Sequence, residues 1–249
     1  MSHLTPLQRA GFLLITTLIL SPPVLCQTPG KTAAKQNGAE SSFRKAFVVD
    51  DRIAALRQDA DIRSQVVHRL RVGRPVLITG VRSSGRARFY RVAVTRRTRG
   101  WIHEAAVAAP GRAGDDARVV KIIESEKDGL NRLSLCRLFL EHFNRSPLAP
   151  RVLLALGEEA DRAATGLGQR ARKRLESLSE ENPAADLRDY YLSDAGLDRY
   201  SKLHIRFDFN PATSEYVYDG QAYRDIIKHY GRSAEAQSAQ KHLEERKSF

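Results

Sequence analysis

Phe89-Tyr90-Arg91-Val92-Ala93-Val94 lies between two turn-forming stretches, Ser83-Ser84-Gly85 before it and Arg97 to Gly100 after it. A short run rich in β-branched and aromatic residues, bounded by turn formers, predicts a strand. Alternation puts Tyr90, Val92 and Val94 on one face and Phe89, Arg91 and Ala93 on the other. The first set is the candidate core. Upstream, Val66-Val67-His68-Arg69-Leu70-Arg71-Val72-Gly73-Arg74-Pro75-Val76 leads into a second strand, Val76-Leu77-Ile78-Thr79. Ala55-Leu56-Arg57 precedes it, and Gly100-Trp101-Ile102 follows the turn after Val94. Short strands joined by tight turns predict a small all-β barrel over residues 43–110.

The period changes after Pro110-Gly111-Arg112-Ala113-Gly114-Asp115. Residues 111–117 read as a linker and 118–249 as an α-helical region, so the fold class is α+β and multidomain. Leu167, Ala171, Leu175 and Leu178 form one helical stripe. Ala222, Tyr223, Ile226, Ile227 and Tyr230 form a second, and Ala236, Ala239 and Leu243 a third. Ser146-Pro147 and Asn182-Pro183 each put a capping side chain before a proline at the first helical position. Between the stripes, Leu203 to Phe209 alternates like a strand, and Tyr216-Val217-Tyr218 follows; a short hairpin or an extended arm would fit.

The first 26 residues have the pattern of a removable export signal: Arg9, the apolar run Gly11 to Leu20, then Ser21-Pro22-Pro23. That run is too short to span a bilayer. Cleavage after Cys26 would leave Gln27 as the first residue and Cys136 as a lone thiol, so no intramolecular disulfide would form. The alternative, lipidation of Cys26, fits poorly with Pro23-Val24-Leu25 before it. Residues 27–42 lack large apolar side chains and read as a flexible linker.

The net charge of +12 is concentrated in one segment. Phe43 to Arg112 holds 16 Lys and Arg against 5 Asp and Glu, whereas Ala113 to Phe249 holds 22 against 23. Such asymmetry implies an anionic partner for the first segment or a solubilising arginine surface. Phe89 and Trp101 are candidates for an exposed apolar floor, ringed by Arg86, Arg88, Arg91, Arg96, Arg97 and Arg99. Guanidinium forks suit phosphate and carboxylate and stack on aromatic rings. Trp101 could equally fill a core.

No catalytic set emerges. Cys136 falls on an apolar helical stripe, and His142, six residues on, turns away from it. His103-Glu104-Ala105-Ala106-Val107 lacks the second histidine of a zinc-peptidase motif. Asp50-Asp51, Glu158-Glu159 and Glu180-Glu181 read as solvated acids. No metal or cofactor motif appears.

Taken together, Ala55-Leu56-Arg57, Val66 to Val76, Phe89-Tyr90-Arg91-Val92 and Gly100-Trp101-Ile102 resemble a bacterial SH3-like (SH3b) domain. The resemblance implies a small β-barrel that binds rather than catalyses, often in the cell envelope. His142-Phe143-Asn144-Arg145-Ser146-Pro147-Leu148-Ala149 aligns with His229-Tyr230-Gly231-Arg232-Ser233-Ala234-Glu235-Ala236. These segments resemble helix-turn-helix units of envelope proteins with tetratricopeptide-like repeats, although their spacing exceeds the usual 34-residue period.

The function expected is therefore non-enzymatic: an exported periplasmic or envelope protein. Its basic barrel would bind an anionic wall component such as peptidoglycan, a membrane component or an extended peptide. Its helices would dock a protein partner. Nucleic acid is disfavoured by export and by the lack of a nucleic-acid motif. The alternative is an envelope enzyme, or an accessory subunit of a cell-wall hydrolase, with its chemistry in Leu187 to Asp219.

Overall fold

The computed structural model describes residues 45–178, 195–210 and 212–247, and it gives only the backbone of 175–178, 195 and 247. The expected signal peptide at 1–26, the linker at 27–42 and the Asn182-Pro183 cap lie outside the described residues. All described residues fall within one compact unit, Asn37–Phe249.

The fold is α+β. Among the described residues, seven strands come first: β1 (Lys45–Val48), β2 (Ala55–Arg57), β3 (Val66–Arg69), β4 (Pro75–Ser84), β5 (Ala87–Ala93), β6 (Arg99–His103) and β7 (Val107–Ala108). They form one antiparallel sheet in the order β3-β2-β6-β5-β4-β1-β7. Among the described residues, no ladder joins β3 to β7. Tyr90 and Val92 are buried as their alternation predicts, together with Leu56, Val76, Ile78, Ile102 and Val107. Inward residues from β2 and β7, near opposite ends of the order, share this one cluster, so the sheet curves around it.

Among the described residues, six α-helices follow: α1 (Asp115–Ser125), α2 (Gly129–His142), α3 (Ala149–Leu178), α4 (Asp198–Ser201), α5 (Gln221–Tyr230) and α6 (Ala234–Lys247). Between α4 and α5, β8 (Phe207–Asn210) pairs antiparallel with β9 (Glu215–Tyr218), which resolves the hairpin-or-arm alternative as a hairpin. Leu167, Ala171, Ala222, Tyr223, Ile226 and Ala239 are buried, whereas Ile227 is exposed. The 30-residue α3 packs against α2, α5, α6 and β9. Its Gly157 admits the Tyr223 ring, since a Cβ there would lie 2.6 Å from it. Tyr223 donates to Asp161 at 2.7 Å and stacks on His242.

The two expected repeats have matching turns. Ser146 N–H bonds Phe143 C=O and Ala149 N–H bonds Ser146 C=O; Ser233 and Tyr230, then Ala236 and Ser233, repeat both bonds. Ser146 Oγ accepts from Leu148 N–H at 3.2 Å and donates to Asp116 on α1, but the helix begins at Ala149, so Pro147 lies in the turn before it and not at the expected first helical position.

Segment 111–117 is bound closely to both sides. Asp115, at 3 % exposure, accepts from Ala109 N–H at 2.8 Å. Arg118 pairs with Asp115 at 3.1 Å and donates to the carbonyls of Ala105 and Val107. β1 joins the two halves. Ala46 and Val48 face the sheet core; Phe47 and Val49 belong to the helical core. Phe47 stacks on His142 at 4.3 Å. Glu159 is another departure from the sequence reading. It is not solvated but buried, paired with Arg162 at 2.6 Å and Arg132 at 3.2 Å.

Candidate functional site

The site is built by the register of four strands. Opposed residues in an antiparallel pair share a face. Arg57 on β2 lies opposite Trp101 on β6, which lies opposite Arg91 on β5, which lies opposite Gly80 on β4. In the next row, His103, Phe89 and Arg82 align. In the row on the other side, Arg99 lies opposite Ala93 and Leu77. Trp101 thus stands half-buried in the face away from the sheet core, flanked by arginines across both neighbouring strands. The Arg82 guanidinium sits over the indole, 4.8 Å from its centroid. A cation–π contact at such a half-exposed place is worth about 0.5–1 kcal/mol.

The expected ring is reshaped. Phe89 is not part of an exposed floor: it is 1 % exposed, edge-on to His103 at 5.5 Å. Its cross-strand neighbours are Arg82 and His103, and the His103 ring packs against it. Arg88 points to the opposite face and approaches Glu104 at 3.8 Å. Arg86 is exposed in the β4–β5 turn, away from the Trp101 row. Arg96 and Arg97 are exposed in the β5–β6 turn, where Thr95 Oγ1 accepts from the N–H groups of Arg97 and Thr98. Arg91 and Arg99 flank Trp101 as expected.

Two members went unnoticed in the sequence, Arg57 and Arg82. The signal for Arg82 was available: a two-residue Gly85-Arg86 turn, with Gly85 at φ 59, sets Arg82 opposite Phe89. Arg57 depends on β2 crossing to β6, which no local pattern encodes.

Among the described residues, Arg82, Arg86, Arg91, Arg96, Arg97 and Arg99 have no acidic partner. Arg57 instead donates to Ser64 C=O at 2.7 Å. The face therefore presents unneutralised cations around a planar aromatic. It can hold a phosphate or carboxylate by guanidinium forks and an apolar moiety by the indole.

The other sequence candidates have structural roles. Cys136 is fully buried, and burial pushes its thiol up to about 12, so no thiolate forms at neutral pH. His142 is occupied by Phe47. His103 Nδ1 accepts from Ala105 N–H at 3.2 Å, capping the 3₁₀ turn between β6 and β7. Among the described residues, no cluster of His, Cys, Asp and Glu could hold a metal ion, and no helix is long and apolar enough to cross a membrane. Compared with known proteins, the chain matches no family model, no curated protein and no solved structure.

Proposed function

We propose that this is a non-enzymatic, exported envelope protein whose Trp101–arginine face holds an anionic cell-wall or membrane component. The observation that carries the proposal is the placement of Trp101 among Arg57, Arg82, Arg91 and Arg99 on one sheet face, four of these five side chains having no hydrogen-bonded partner among the described residues. The resemblance to an SH3-like barrel and to tetratricopeptide-like hairpins agrees with a binding role. The export reading supplies the location. The helices would then dock a protein partner.

Charge alone limits the affinity. At about 1 kcal/mol per arginine near an anionic surface, four give about 4 kcal/mol, a Kd of about 1 mM. Tighter binding requires the indole, or several copies on one surface.

The test is sedimentation with purified peptidoglycan and with anionic vesicles at low and high salt. We expect pelleting that salt weakens and that falls at least tenfold in a variant carrying Trp101→Ala, Arg82→Ala and Arg91→Ala. Failure to pellet under every condition removes this reading. Salt-insensitive binding to a protein would favour the exposed β3 edge, where all four residues face solvent.

A further inference from the structure

Away from the basic sheet face, two clefts of about 700 and 340 Å³ open on the helical side, and Arg137 and His204 line both. Volumes of this order suit small molecules. The larger cleft has apolar walls from Val72, Leu138 and Leu203, with Lys202 at its margin. The smaller one adds Leu153, Leu156 and Arg206.

Arg137 projects from α2 and is half-buried. Among the described residues, it has no hydrogen-bond or ion-pair partner. A partly desolvated guanidinium without a counterion is costly, and it is most simply explained by an anion that arrives from outside. Three acids, Glu141, Asp219 and Asp225, line the same clefts, but none of them forms an ion pair with Arg137. Asp219 accepts from Gln221 N–H at 2.9 Å, Asp225 accepts from Gln221 Nε2 at 2.8 Å, and Glu141 lies 3.9 Å from His142. Lys202 and Arg206 are likewise unpaired and exposed.

The second observation is the backbone at His204. The chain leaves α4 with Ile205 N–H bonded to Tyr200 C=O and His204 N–H bonded to Ser201 C=O. This is the helix-ending motif in which glycine usually takes the left-handed position. Here that position is His204, at φ 55. A residue with a Cβ is strained there, and such strain concentrates where a side chain is needed for a purpose. The purpose consistent with its place is the imidazole at the junction of the two clefts.

We infer that these joined clefts bind a small amphiphilic anion, a carboxylate or phosphate carried on an apolar body. Arg137 holds the charged group by its fork, with Lys202, His204 and Arg206 around it. The apolar body lies along Leu138 and Leu203. This site is separate from the Trp101 face, so it stands or falls independently of that reading.

The test is isothermal titration calorimetry of the chain with octanoate, octyl phosphate and inorganic phosphate. Both amphiphiles should bind, at least tenfold more tightly than inorganic phosphate; the tighter of the two identifies the head group. Arg137→Gln should weaken amphiphile binding at least tenfold, with circular dichroism confirming the fold. His204→Gly should raise the melting temperature by relieving the left-handed strain, yet weaken binding several-fold. That variant keeps the test valid if Arg137→Gln fails to fold. The inference is overturned if neither amphiphile binds, if folded Arg137→Gln binds as the parent does, or if His204→Gly binds unchanged.

Discussion

Gly100 stands where β2 and β5 both approach β6. A Cβ there would lie 2.6 Å from the Arg57 carbonyl and 2.8 Å from Leu56, so β2 could not keep its place. Overpacking against backbone costs about 1–3 kcal/mol. Gly100→Ala should therefore lower unfolding stability by that amount in a denaturant titration; an unchanged midpoint would show that β2 can yield. Cys136 and Tyr218 make a second residue-scale prediction. Burial holds the folded Cys136 thiol at about 12 rather than 9.0, and the Tyr218 phenol at about 12 rather than 10.0. In the unfolded chain, both lose their protons earlier. Stability is thus full below about pH 9 and declines as pH rises towards 12. Urea midpoints at about pH 8 and about pH 10.5 should differ in that direction, and equal midpoints would contradict it. Phe89 shows where residue-level reading reached its limit. Alternation placed it correctly on the face away from the sheet core, but it is buried there with the His103 ring against it, a cross-strand contact that local periodicity cannot see.

Among the elements, the join between β7 and α1 is fixed by one arginine. Arg118 reaches back from the first turn of α1 to the carbonyl of Ala105 within the 3₁₀ turn and that of Val107 just after it, and pairs with buried Asp115. Removing one partner of a buried pair costs about 3 kcal/mol. Arg118→Met should show a loss of that size by chemical denaturation; a loss within experimental error would mean that Arg112, 3.9 Å from Asp115, takes over. This join is also where sequence and structure part. Pro110 to Asp115 signals a break in period, and the break is real. The segment nevertheless acts as a clamp, because Asp115 and Arg118 find their partners only after the sheet has brought Ala105, Val107 and Ala109 together. β4 and β5 were legible from alternation and turn residues, and α5 from its apolar stripe. β7 was not, since two buried residues carry no period. Nor was the Arg137 cleft, whose walls come from α2, the loop after β3 and the turn after α4.

For the molecule as a whole, the two cores should melt together. Trp101 is the chain's single tryptophan and reports on the sheet, while far-ultraviolet circular dichroism reports mainly on the helices. With Phe47 and Val49 packed into the helical core, both signals should give one midpoint in guanidinium. Two separated transitions would show that the halves are independent. The position of β1 carries a further consequence, for how this architecture can be divided or reused. A four-residue strand with a core on each side is a party wall, and neither half closes without it. Cutting the chain after Arg112 would leave Phe47, Val49 and Ala108 facing water, a sticky flank beside the arginine face. The basic sheet is therefore not a portable cassette: whatever carries its binding surface into another context must bring the helices along.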